Sequence, residues 1–191
     1  TITFKKRLFL WRTAVTYLWG MLVIQIASDT VLHYRADNLF LSHVYFYFHF
    51  VVLCFFYYKV LEKPKQRKLV LISASLVTAF LIFQYILFPG VWLRFNLLEV
   101  FFTNYFLIVF ALMYIYNNLA NKQSIYYLNM GILAFSILSL SSFRLGNIMA
   151  EMVVDISVYT WCIHIYSLIF FQVLIVRQWF KSFYPKQKLG V

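Results

Sequence analysis

The residues able to do chemistry in this chain are few, and they sit in apolar surroundings. His43, His49, Glu99, Asn104, Asn129, His164 and Gln172 each fall within a long apolar stretch. An ionisable group held at membrane depth costs about 2.5–3.5 kcal/mol at mid-span on insertion scales, so each calls for a partner or a function. His43 lies one turn into its stretch and Glu99 at the start of another, at similar depth, so the two can pair and share a proton. That pair is either a hydrogen-bonded clamp between helices or a protonatable, ligand-binding site open to the outer side.

Other groupings are narrower in what they allow. His49 follows His43 by six residues, ~120° around a helix, which rules out one metal held from one face. His49 and His164 would be the pair to hold a haem, but two histidines on two helices more often serve as hydrogen-bonding residues, and no cofactor and no metal are expected. Ser157, Thr160, His164 and Ser167 recur at spacings of three and four with Trp161 beside them, and should form one inward face. Asn129, Ser136, Ser139 and Ser142 form a comparable stripe, with Ser142 and Gly146 as a small-xxx-small pair. Phosphate-binding glycine loops, zinc-spaced Cys or His pairs and a nucleophile elbow are all missing, so no catalytic residue is assigned. Cys54 and Cys162 fall at depths about 10 Å apart, which disfavours a disulfide, and both read as small buried apolar residues.

The elements that must position these residues follow from composition. Of 191 residues, 63% are apolar and 12% charged, about half the charged share of an ordinary soluble domain. Breaks at charges, Pro and Gly predict helices near residues 8–27, 39–61, 69–88, 97–116, 126–146 and 153–176, each close to the ~20 residues that cross a bilayer core. The expected fold is an all-α, polytopic transmembrane bundle forming a single domain over residues 1–191, with neighbouring helices antiparallel. Net charge +11 beside 22% aromatic residues would suit nucleic acid, but the aromatics lie in and at the ends of the apolar runs, so nucleic-acid binding is set aside.

Charge sets the orientation. With six spans, 14 of 17 Lys and Arg fall on one side, leaving Arg35, Arg94 and Arg144 on the other, so both termini should be cytoplasmic. Asp29, Asp37, Glu99, Glu151 and Asp155 gather at the outer side and only Glu62 at the inner. The inner cluster Lys59, Lys63, Lys65, Arg67 and Lys68 reads as a basic loop that faces anionic lipid or a protein partner.

The landmarks Asn38, His43, Tyr45 and Phe50, the helix end Phe56-Tyr57-Tyr58, then Phe95, Asn96 and Glu99, Tyr114 and Tyr116, Leu128 to Leu133, and Trp161 with His164 form a pattern over residues 5–180. In these the chain resembles a group of multi-helix membrane proteins of Bacteroidetes, found alone or as the sensor portion ahead of domains such as histidine kinases. It departs from the group at His49, where Glu is usual, and the group usually has one more N-terminal helix. The resemblance implies a non-enzymatic, receptor- or sensor-like module of a bacterial inner membrane. About 15 residues follow the last predicted helix, so signalling is expected to need a partner. An accessory subunit of a larger inner-membrane complex fits the same features, and a transporter of a small or protonatable solute is the reading from another class. Membrane lipids and other membrane subunits, or a signalling protein, are the expected partners.

Overall fold

A computed structural model describes residues 4–34, 38–119, 125–150 and 154–183. These residues form six long α-helices: α1 (Phe4–Tyr34), α2 (Leu39–Val60), α3 (Pro64–Leu87), α4 (Leu97–Asn117), α5 (Tyr126–Ala150) and α6 (Val154–Phe183). One 3-10 turn, Pro89–Leu93, joins α3 to α4. All six helices are long and apolar enough to cross a membrane. The fold is therefore an all-α bundle of six candidate spans.

The helix ends differ from the sequence expectation for identifiable reasons. No Gly or Pro interrupts residues 27–34, so α1 runs on to Tyr34 and carries Asp29 and His33 in its last turns. α6 likewise continues to Phe183, two residues short of Pro185. α3 starts at Pro64 instead of 69: proline's fixed φ suits the first helical position, where its missing N–H is no loss. Only residues 61–63 then separate α2 from α3. The expected basic loop is thus not a loop. Lys59 ends α2, Lys63 caps α3, and Lys65, Arg67 and Lys68 lie in the first turns of α3.

α2 holds the centre, packing against α1, α3 and α4, while α5 packs on α4 and along α6. The core runs through Tyr17, Phe50, Tyr57, Leu107, Phe110, Ile132, Phe135 and Phe171. Trp19, Leu76, Phe83, Tyr166 and Phe170 point outward, apolar groups that only lipid solvates well. Gly131 lets α5 and α6 approach: a Cβ there would lie 2.9 Å from the Phe171 ring and 3.1 Å from Leu174.

Strong polar ties hold the end of the bundle where α2 meets α3. Arg67 Nε donates to the carbonyl of Leu61 at 2.7 Å, closing the tight connection. Gln66 and Asn117 exchange hydrogen bonds of 2.7 and 3.3 Å between α3 and α4. The Lys59 ammonium lies 5.5–5.8 Å from the centroids of Phe9, Phe55 and Tyr58. Lys63 lies over Tyr116, and Arg177 is 4.6 Å from the Tyr127 ring centroid. Three of the five basic residues therefore have contacts within the bundle, and Lys65 and Lys68, like Lys59 and Lys63, are exposed.

Candidate functional site

At the opposite end, α2, α3 and α4 converge on one polar cluster. His43 Nδ1 and Glu99 Oε2 lie 2.6 Å apart, with both side chains about 2% exposed. The Tyr85 hydroxyl donates to the same carboxylate oxygen at 2.8 Å and lies 3.0 Å from His43 Nδ1. Glu99 Oε2 is thus the hub of three helices. Trp92, carried by the 3-10 turn, lies nearly parallel to the His43 imidazole, with centroids 5.2 Å and planes 22° apart. It meets Tyr85 edge-on at 5.3 Å.

Local sequence explains why these groups meet. Asn96 caps α4, its side-chain oxygen accepting from the Glu99 N–H at 3.4 Å, and this cap with Glu at N3 is a recognised helix start. Asn96 Nδ2 also donates to Gln84 Oε1 at 2.9 Å, tying the end of α3 to the start of α4. Tyr85 follows Gln84 directly. A single amide pair therefore registers both Tyr85 and Glu99 against His43.

A cleft of about 480 Å³ begins at this cluster and runs between α2 and α3, bounded by Val44, Tyr47, Val51, Leu81 and Ile82. Its volume lies in the range of small-molecule sites, and its wall is almost wholly apolar. Val44, Tyr47, Val51 and Ile82 are exposed on the outside of the bundle, so the cleft opens toward lipid. Two atoms of the cluster, His43 Nε2 and Glu99 Oε1, are buried without a hydrogen-bond partner among the described residues.

The remaining sequence candidates divide between other places. His49 faces away from His43: its Nδ1 lies 2.9 Å from the Tyr17 hydroxyl. The Phe135 ring stands between His49 and His164, 5.0 Å from one centroid and 5.4 Å from the other. Tyr45 also contacts both imidazoles, stacked on His49 at 6.5 Å. Tyr45 completes this second grouping, 6.1 Å from His164 ring to ring. His164 and Ser167 are buried, as are Asn129, Ser136, Ser139 and Ser142 on α5. Asn129 joins three helices: it accepts from the Tyr57 hydroxyl at 2.8 Å and donates to the Ala111 carbonyl at 3.2 Å.

Several expectations fall outside the described residues or are corrected. The side chains of Ser157, Thr160, Trp161, Arg144, Gly146 and Asp155 lie outside them, as do Arg35, Asp37, Lys122 and Glu151. Cys54 is buried, but Cys162 is exposed on the outer surface of α6, because its neighbours at spacings of three and four face outward too. Gln172 is half-buried, whereas Gln178 is the buried glutamine of α6. Sequence reasoning missed Tyr85, Trp92 and Gln84, and named Asn96 only as a landmark of the resemblance, not as part of the site. The Pro89-Gly90 break preceding Trp92 marked the turn, and the spacing of Asn96 to Glu99 marked the cap.

Compared with protein-family models, with curated proteins and with solved structures, the chain has no match in any of the three. Fold and composition define its class: a multi-pass α-helical membrane protein.

Proposed function

We propose that the chain is a non-enzymatic membrane module of the receptor type. It lies in a bacterial inner membrane with both termini cytoplasmic. It takes a ligand from the lipid phase at the His43–Glu99–Tyr85 cluster and passes the change to a protein partner. The observation that carries this reading is a lipid-facing cleft ending on a buried ionisable pair. A clamp alone needs no cleft, and an intramembrane ionisable group is by default a functional one.

The route for a signal is short. Glu99 begins α4 and Tyr85 ends α3, so a ligand that draws Glu99 away from Tyr85 changes how these two helices are held. At their far ends the Gln66–Asn117 pair and the exposed Lys65 and Lys68 would report that change to a partner. The positive-inside distribution supports the sidedness.

Purification in mild detergent followed by native mass spectrometry tests the reading. A solitary bundle retaining a small amphiphile, with retention lost in Glu99→Gln, is the expected result. Stoichiometric co-purification with a multi-subunit assembly, unaffected by Glu99→Gln, would assign the chain as a subunit instead.

A further inference from the structure

We propose that the cleft binds a membrane amphiphile with a hydroquinone-type head, the ring at the His43–Glu99–Tyr85 cluster and an apolar tail along α2 and α3. This rests on the receptor reading and names its ligand class. Three observations converge on it.

The first is the form of the cleft. From His43 to Val51 it follows α2 for eight residues, roughly 12 Å of helical rise and room for about ten chain carbons. Val44, Val51, Leu81 and Ile82 offer a tail no polar partner. Tyr47 and Thr78, which also line the cleft, are hydrogen-bonded to each other at 3.2 Å between α2 and α3, so the tail passes along that pair from the lipid side.

The second is the aromatic setting at the head end. Trp92 already lies flat over the His43 imidazole, with Tyr85 edge-on to both. A flat ring can take the place of the indole over His43. Trp92 sits on a five-residue turn with open space around Gly90, so that exchange needs no movement of a long helix.

The third is hydrogen-bonding character. Glu99 Oε1 and His43 Nε2 have no partner among the described residues. Glu99 Oε1 can accept a hydrogen bond, and His43 Nε2 does so in the tautomer whose Nδ1–H points at Glu99 Oε2, so both suit ligand O–H groups. An anionic head would set its own acceptors against Glu99 Oε1 and His43 Nε2. An ammonium head could also donate to Glu99 Oε1, and decylammonium in the titration separates it from a neutral head. A neutral head bearing O–H donors fits, and burying it leaves no group of the site unpaired.

The test is calorimetric titration of the whole protein in lipid nanodiscs. The probes are decyl-hydroquinone, its dimethyl ether, methylhydroquinone, decylbenzene, decanoate and decylammonium. The expected result is saturable binding of decyl-hydroquinone, weakened about tenfold or more by methylation of its hydroxyls and by Glu99→Gln, as loss of a hydrogen bond to a charged group predicts. Val51→Trp, at a lipid-exposed position away from the polar cluster, should abolish binding of decyl-hydroquinone but leave that of methylhydroquinone unchanged. This second variant decides the matter if Glu99→Gln does not fold. Equal binding of the dimethyl ether, or tighter binding of decanoate or decylammonium, would overturn the hydroquinone head while leaving a receptor for another amphiphile. Failure of every probe to bind would overturn the receptor reading as well.

Discussion

Asn129 tests whether the polar stripe on α5 holds the bundle together. Its amide accepts from Tyr57 at 2.8 Å and donates to the Ala111 carbonyl at 3.2 Å, and Asn129 and Tyr57 are both fully buried. Interhelical hydrogen bonds in membrane proteins average about 0.6 kcal/mol and reach about 1.7. Leu has the branching and side-chain heavy-atom count of Asn but bulkier methyl groups, so Asn129→Leu removes the two bonds without opening a cavity and adds some overpacking. It should cost roughly 1–3 kcal/mol. Tyr57→Phe removes one of the two and should cost about 0.6–1.7 kcal/mol. Because they share that bond, the double variant should be less destabilised than the sum, by about the same 0.6–1.7 kcal/mol. Equilibrium unfolding in mixed micelles, followed by circular dichroism, measures all three. Additivity within about 0.3 kcal/mol would show that the Tyr57–Asn129 contact carries no energy.

Gly131→Ala should destabilise by about 1–3 kcal/mol in the same assay, since the new methyl meets a Phe171 ring that is itself fully buried against Tyr17, His49 and Phe135. N-ethylmaleimide should label Cys162 in folded protein and leave Cys54 unlabelled until unfolding; simultaneous labelling would contradict the packing of α2. In a Cys162→Ser background, Lys65→Cys and Gly90→Cys should react with a membrane-impermeant maleimide from opposite sides of sealed vesicles, with Lys65→Cys on the cytoplasmic side. Labelling of both from one side would remove the antiparallel reading of α3. Arg67→Ala should cost about 1 kcal/mol through the lost bond to the Leu61 carbonyl, and Arg67→Gln should not restore it.

The helices were legible because hydropathy at this scale leaves little choice: six apolar runs broken by charge clusters and Pro-Gly can only span. Their ends were less so. Pro64 serves a helix start as readily as a turn, and charge in Lys65 to Lys68 does not prevent helix formation once the chain has left the apolar layer. His43 and Glu99 stood out because ionisable residues are rare at membrane depth. Tyr85 and Trp92 did not: aromatics make up 22% of the chain, so nothing in residue type distinguished the two that touch the pair. Only the fold, through the Gln84–Asn96 tie, selects them.

The distribution of satisfied and unsatisfied polar groups separates what stabilises this bundle from what it offers to a ligand. Toward the α2–α3 connection, Arg67, Gln66 with Asn117, Asn118, and Tyr57 with Asn129 all have hydrogen-bond partners. Toward the α3–α4 connection and mid-depth, His43 Nε2, Tyr45 Oη, His49 Nε2, Glu99 Oε1, Asn104 Oδ1 and His164 Nδ1 are buried without partners among the described residues. A buried unpaired polar group costs about 1–3 kcal/mol, so stability alone would favour apolar residues at these positions. On the receptor reading proposed above, the unpartnered groups of the His43–Glu99 cluster are the ones an incoming ligand would pair. On this reasoning His43→Leu with Glu99→Leu, which replaces both groups of the cluster by apolar ones, should leave the bundle as stable as the native protein or raise its stability, while abolishing amphiphile binding. Unfolding and titration of that one variant separate the two roles, and a loss of stability of 3 kcal/mol or more, about what breaking a buried pair costs, would mark the cluster as a structural clamp.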